Sequence, residues 1–236
     1  MTPKLAISNL DAFYGRAQIL SGVALEARAG EATALLGRNG AGKTTTFRSV
    51  MGLVPRRSGS IRFDGIEILG RPTHEIARAG LGYAPEDRRI FTDLTVEENL
   101  EAGRQAPRPG APNWTAERVF ALFPDLSEMR KRPGGRMSGG EQKMLTIART
   151  LMGNPTLLLL DEPSEGLAPK IVERIAAAIV DLKRQGLAIV VSEQNLRFAR
   201  LVCDRAAILE KGRLRFVGSF AELEARPDLR DAYLAI

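Results

Sequence analysis

Two short stretches carry residues whose types and spacing can do chemistry on a phosphate. The first, Gly37-Arg38-Asn39-Gly40-Ala41-Gly42-Lys43-Thr44, fits G-x-x-x-x-G-K-[ST] at every fixed position. Its glycines allow backbone conformations that a side chain would block, so that amide N–H groups can face phosphate oxygens. Lys43 can reach the β- and γ-phosphates as a point charge, and the Thr44 hydroxyl can hold Mg²⁺. The second stretch is Thr156-Leu157-Leu158-Leu159-Leu160-Asp161-Glu162. In α/β sheets ligands sit beyond the carboxyl ends of the strands. Asp161, at such an end, is the expected Mg²⁺ holder. Glu162, next along, can polarise a water aimed at the γ-phosphate.

These residues need elements to position them. Ala32–Leu36 predicts a buried strand feeding the glycine loop, and Thr45–Met51 can continue a helix after it, the context the motif requires. The helix N-terminus adds partial positive charge where a phosphate would sit. The Thr156–Leu160 run is too short for a long helix and suits a strand buried on both faces of a parallel sheet. Between the two motifs lies Ser138-Gly139-Gly140-Glu141-Gln142, followed by Leu145, Ala148 and Leu151 at helical spacing, with Gly153-Asn154-Pro155 as the stop.

With the three motifs in this order, the chain resembles the ATP-binding cassette of ABC transporters over nearly its whole length. The resemblance implies an α/β fold: a P-loop NTPase core with a mostly parallel sheet flanked by helices, an antiparallel β-subdomain and a helical signature subdomain. It places the core and β-subdomain at about 1–86 and 154–236 and the helical subdomain at about 87–153 of a single 1–236 domain; within that stretch the sequence reads as helical with loops at Pro107–Pro112 and Arg132–Gly135. It implies ATP and Mg²⁺ as ligands. ATP is held by Gly37, Arg38, Asn39, Gly40, Ala41, Gly42, Lys43, Thr44 and Thr45, with Tyr14 stacked on the adenine. The alternative for Tyr14 is a strand aromatic packed in the β-subdomain. In this family Ser138, Gly139, Gly140 and Glu141 of one cassette close over the nucleotide of a second. Met137 stands where the family often has Leu, and Ala168 where the loop crossing the dimer interface usually ends in Asp.

Two departures carry more information. The family's Gln loop is Tyr83-Ala84-Pro85-Glu86 here, and the switch His is replaced by Gln194. A Gln donates a hydrogen bond but exchanges no proton near pH 7. A Glu beside the γ-phosphate adds negative charge that Mg²⁺ or a proton must offset. Glu86 is therefore expected both in catalysis and at the metal (Thr44, Asp161, Glu86), with Glu162 and Gln194 completing the catalytic set. Pro85–Phe91, Leu94–Leu100, Asp161–Pro169, Glu193–Asn195 and the terminal Asp231–Leu234 resemble the second, LivF-type ATPase subunit of branched-chain amino acid importers. Glu165 stands where that branch often has an apolar residue. The resemblance implies a paired second cassette, two membrane permease subunits, a substrate-binding protein acting indirectly, and a peripheral place on the cytoplasmic face of the inner membrane. Urea, amides and aromatic acids are alternative cargoes of related importers. Phe91 and Leu94 either line a socket for a membrane subunit's helix or pack in the core.

Composition bounds the remaining readings. At 236 residues and 44% hydrophobic content, the chain can bury a normal core. No run of 18 apolar residues predicts a membrane span, and no signal peptide is read at Met1–Leu5. Cys203, the only cysteine, cannot form an intrachain disulfide and is expected in the core. The net charge of +6 comes from scattered basic residues without the interleaved aromatics of a nucleic-acid site, so no nucleic acid partner is expected. A soluble ABC-type ATPase acting on DNA or ribosomes would need a coiled-coil insertion or a second cassette in the chain. A P-loop kinase or GTPase would not need Ser138-Gly139-Gly140. The lone His74 reads as a surface helix residue. Leu5–Leu10, Val23–Ala27 and Ser60–Phe63 predict strands in the first third. Leu187–Val191, Ala206–Leu209 and Leu214–Val217 predict later ones. Val172, Ile175, Ile179 and Leu182 predict a helix closed by Gly186, and a last helix covers Phe220–Leu234.

Overall fold

The structure, a computed structural model, describes residues 2–233. Ten strands run in chain order: β1 Leu5–Tyr14, β2 Ala17–Ala27, β3 Ala32–Leu36, β4 Arg56–Phe63, β5 Ile66–Glu67, β6 Leu81–Ala84, β7 Leu157–Asp161, β8 Ala188–Glu193, β9 Arg205–Glu210 and β10 Arg213–Ser219. The helices are α1 Lys43–Val50, α2 Thr73–Ala79, α3 Val96–Gly103, α4 Ala116–Leu122, α5 Pro124–Ser127, α6 Gly139–Leu151, α7 Pro169–Arg184, α8 Leu196–Val202, α9 Phe220–Glu224 and α10 Pro227–Tyr233. A six-stranded sheet has the order β10-β9-β3-β8-β7-β6, parallel except for the β9–β10 pair. A four-stranded antiparallel sheet has the order β2-β1-β4-β5.

The apolar runs explain this layering. β3 and β7 are buried at every position, as expected for strands covered on both faces. Side chains alternate across a strand, and here they feed two cores. Leu158 and Leu160 join Ala34 and Leu36 in a core with α6, α7 and α8. Leu157 and Leu159 join Leu35, Phe47 and Val50 in a second core closed by the antiparallel sheet. Helix α1 is therefore held between the two sheets, and its first residue, Lys43, is fixed in place by that packing.

Strand order then fixes the site. The neighbours β3, β8, β7 and β6 are mutually parallel, so their carboxyl ends open on one edge. Leu36 is level with Glu193, Asp161 with Ser192, and Leu160 with Ala84. The loops that leave there carry Gly37–Gly42, Gln194, Glu162 and Glu86 respectively.

The expected strands are present, and several are longer than their apolar cores: β1 reaches Tyr14, β2 starts at Ala17 and β4 at Arg56. Antiparallel pairing extends them through polar residues. The stretch 87–153 is less helical than expected at its start, because 85–95 carries no helix, while the unhelical 104–115 contains the loop expected at Pro107–Pro112. In the first of these, buried Asn99 of α3 takes over the work of secondary structure. Its side chain accepts from the Phe91 N–H and donates to the carbonyls of Phe91, Leu94 and Thr95. The expected final helix is split into α9 and α10 around Pro227, which cannot donate to a preceding turn, and its expected end at Leu234 lies outside the described residues. Cys203 is buried, His74 is exposed on α2, and no helix among the described residues is long and apolar enough to cross a membrane.

Candidate functional site

The phosphate loop starts directly from β3. Gly42 caps α1 with φ 112°, a left-handed conformation, and a Cβ there would stand 2.8 Å from the Leu20 side chain. Only glycine satisfies both the turn and the close approach. No side chain caps α1, so its first amides are free to donate to an anion. Gly40, Ala41, Gly42, Lys43, Thr44, Thr45 and Asn39 line a cavity of about 300 Å³, with Glu86 and Glu162 on its other walls.

Lys43 is only 4% exposed. Its ammonium donates to the carbonyls of Gly37 (2.7 Å) and Arg38 (3.2 Å) and pairs with Glu162 Oε1 at 3.0 Å. Glu162 is 5% exposed and sits in the left-handed region at φ 45°. This conformation is costly for a residue with a side chain and persists only where its surroundings hold it. The hold is visible: the Glu162 N–H donates to both the carbonyl and the hydroxyl of Ser192. Its second carboxylate oxygen accepts from Gln194 Nε2 at 2.9 Å. Burial opposes ionisation, but the hydrogen bonds from Gln194 and Lys43 outweigh it and hold the carboxyl below its ordinary range. Glu162 is thus an ionised, oriented carboxylate.

Asp161 is fully buried. Oδ1 accepts from Thr44 Oγ1 (3.2 Å) and Ser192 Oγ (2.6 Å), and Oδ2 from the Tyr83 hydroxyl (2.9 Å). Burial and the adjacent Asp161 charge push the Tyr83 phenol up, so it stays a neutral donor. Among the described residues, hydroxyls alone bond this carboxylate. A buried carboxylate beside a threonine hydroxyl, without a cationic side chain on it, is a hard-oxygen donor set that fits Mg²⁺.

Glu86, exposed at the start of the loop that leaves β6, lines both the phosphate cavity and an adjoining one of about 260 Å³ with Arg88, Lys143, Glu162, Glu165, Gly166 and Leu167. Tyr14 ends β1 and is 42% exposed. Ser138, Gly139, Gly140 and Glu141 stand apart from the other expected site residues, and none lines the phosphate cavity. They form a closed local structure at the start of α6. The Ser138 hydroxyl accepts from the Glu141 N–H (3.4 Å), and Glu141 Oε2 accepts from the Ser138 N–H (2.7 Å), a capping box. Ile171 of α7 passes close to Gly140, where a Cβ would approach it to 3.1 Å.

Sequence reasoning passed over four residues that organise this edge. Ser192 and Tyr83 hold Asp161, as above. Lys143 of α6 is buried and donates to the carbonyls of Asp161 (2.6 Å) and Pro85 (3.3 Å), tying the signature helix to two loops of the core. Glu193, also buried, accepts three backbone N–H bonds. The only signal was polarity: Ser192 and Glu193 interrupt an otherwise apolar strand, and Lys143 occupies the buried face of a helix.

The family model described as "ABC transporter" matches residues 20–165, which include both the phosphate loop and Asp161–Glu162. The chain belongs to the ABC transporter ATPases. It is 43% identical over 230 residues to BraG of Pseudomonas aeruginosa, a high-affinity branched-chain amino acid transport ATP-binding protein, covering 98% of this chain and 99% of BraG. It is 37% identical over 232 residues to LptB of Escherichia coli K12, the ATP-binding protein of a lipopolysaccharide export system, covering 98% and 96%. Among solved structures it resembles an ATP-binding subunit of an ABC transporter (27% identity, TM-score 0.81, 99% and 96% covered) and a nucleotide-free ATP-binding cassette (24% identity, TM-score 0.81, 96% and 97% covered). The fold is that of an ABC ATPase, and the protein binds and hydrolyses ATP.

Proposed function

We propose that this chain is one of two cassettes powering an amino-acid importer, with branched-chain amino acids as the leading cargo. The observation that carries the reading is the 43% identity to BraG along essentially the full length of both chains. It is supported by Glu86 and Gln194, the two departures that the importer branch shares by resemblance, which here flank the Glu162 carboxylate.

ATP would enter the cavity of residues 39–45 with its phosphates on the α1 amides and its adenine on Tyr14. The incoming phosphates compete with Glu162 for Lys43, which moves from an internal pair to the substrate. This frees one oxygen of Glu162 to take a proton from water, while Gln194 keeps the other oxygen aimed. Thr44 and Asp161 would hold Mg²⁺, with Glu86 on the same cavity as a further candidate ligand, and the ion would supply charge to offset that of the phosphates. Ser138–Glu141 would close over the nucleotide of the second cassette. The helical subdomain, taken as about 87–153, would carry that signature and meet the membrane subunits. A groove of about 540 Å³ between the sheet core and this region is lined by Leu53, Tyr83, Phe91 and Arg149, among others. Half-exposed Phe91 makes it a fitting seat for a permease helix; Leu94 is not part of it.

The LptB likeness at 37% identity favours a second reading, an export cassette. Reconstitution separates them: the chain with its companion cassette, permeases and binding protein, in liposomes, should accumulate leucine in an ATP-dependent way. ATP turnover without uptake of leucine, other amino acids, urea or amides, but with lipid extraction, would overturn the importer reading.

A further inference from the structure

Three consecutive residues at the end of β8 each hold a different part of the segment that follows β7. Ser192 holds Asp161 and the Glu162 N–H, and Gln194 holds the Glu162 carboxylate. Between them, Glu193 is 1% exposed. Its Oε1 accepts from the N–H of Ser164 (3.0 Å), and Oε2 accepts from the N–H groups of Gln194 and Asn195 (both 3.2 Å). One carboxylate therefore bridges the loop beginning at Pro163-Ser164 and the loop bearing Gln194.

We propose that Glu193 is a positioning residue for hydrolysis, locking the Ser164–Ala168 loop and the Gln194 loop together so that they move as one unit. The argument is one of stereochemistry and cost. Burying a carboxylate is unfavourable unless hydrogen bonds repay it, and all three bonds here come from backbone amides of the two loops. Burial pushes the Glu193 carboxyl above its ordinary value, outweighing the hydrogen bonds from Ser164 and the Asn195 amide that pull it down, and the amides it accepts from lie on both loops. A displacement of the Ser164–Ala168 loop, which lies next to Glu162 in sequence, must strand Oε1 or carry Glu193 along. In the second case Gln194 moves with it, and with Gln194 the orientation of Glu162. The part of the proposal concerning catalysis rests on Glu162 as the base.

The test is amide hydrogen exchange on the purified chain, with ATP turnover measured on the assembled transporter. Glu193→Gln is isosteric but turns an NH₂ toward an N–H on one side. Glu193→Asp keeps the charge but is one methylene too short to reach both loops. In both variants, peptides covering 163–168 and 194–196 should exchange about tenfold faster together, from loss of these hydrogen bonds. Peptides covering 32–45 should be unchanged, ATP affinity should stay within about twofold, and kcat should fall about tenfold. Loosening of one loop alone, unchanged kcat with both loops loosened, or uniform loosening of the whole chain would each overturn the proposal. If Glu162→Gln leaves hydrolysis intact, the choice of base fails instead, and the coupled exchange of the two loops still stands or falls by itself.

Discussion

The edge formed by β3, β8, β7 and β6 and the start of α6 hold their polar groups in opposite ways. At the sheet edge Lys43, Asp161, Glu162, Ser192 and Glu193 are buried, and their bonds cross between segments far apart in sequence, such as Thr44 to Asp161 and Gln194 to Glu162. At the signature, the Ser138 and Glu141 bonds are three residues apart, and Ser138 is exposed. The first region is a machine whose parts depend on the whole fold. The second is a helix terminus closed by its own capping box, with Lys143 one turn further along anchoring the helix to the core. In the proposed function, one chain would supply the base and loop of one site and the lid of another.

Substitutions can break or sharpen this contrast. The largest effect is expected from Glu162→Gln, which keeps shape and the Ser192 bonds but removes the proposed base. Hydrolysis by the assembled complex should drop about 100-fold or more, with ATP binding retained in a filter or fluorescence assay. Next is Lys43→Met. It removes the proposed phosphate contact and leaves Glu162 buried without its cation, so ATP binding should be lost and stability fall by about 3 kcal/mol in denaturant unfolding. Adding Glu162→Gln to it should restore much of the stability but not the binding. On the other side of the contrast, Ser138→Arg should lower hydrolysis of the mixed complex about tenfold, the scale of losing a charged hydrogen bond, while this chain's own ATP affinity is unchanged. A loss of its own affinity would mean that the two regions are not separate.

The smallest effect concerns pH. The Glu162 carboxyl lies below its ordinary value of 4.5 in the folded chain. A group depressed on folding stabilises above its unfolded value, and that stability is lost as pH falls through the folded value. Wild type should therefore lose stability more steeply than Lys43→Met on acidification below about pH 4.5, as read by unfolding midpoints at successive pH values.

The same contrast explains what the sequence disclosed. The glycine loop, the five-residue strands β3 and β7 and the signature helix were legible because their patterns are local: fixed spacing, unbroken apolar runs, a cap followed by helical periodicity. Asp161 and Glu162 were legible only in company: an acidic turn that merely ends a strand is a fair competitor for such a pair, and the upstream phosphate loop is what singled these two out. The roles of Ser192, Glu193, Tyr83 and Lys143 were not, since each depends on which strands become neighbours. Ser192 matters because the β7–β8 register sets it level with Asp161, and nothing in its own neighbourhood announces that. Gln194 was placed by resemblance as a partner of the γ-phosphate, and the structure adds a second partner, Glu162, that only three-dimensional pairing reveals. The unwound stretch 85–95 hid for the same reason: Asn99 supports it by side-chain bonds that no periodicity records.

The central claim is that this chain holds two half-sites and hydrolyses ATP efficiently only when a second cassette completes them. The most direct test is specific ATPase activity against protein concentration, for the purified chain alone and mixed with its companion cassette and membrane subunits. Low activity of the chain alone at concentrations where ATP is bound, with strong stimulation in the mixture, is the predicted result. High activity that is independent of concentration for the chain alone would contradict it.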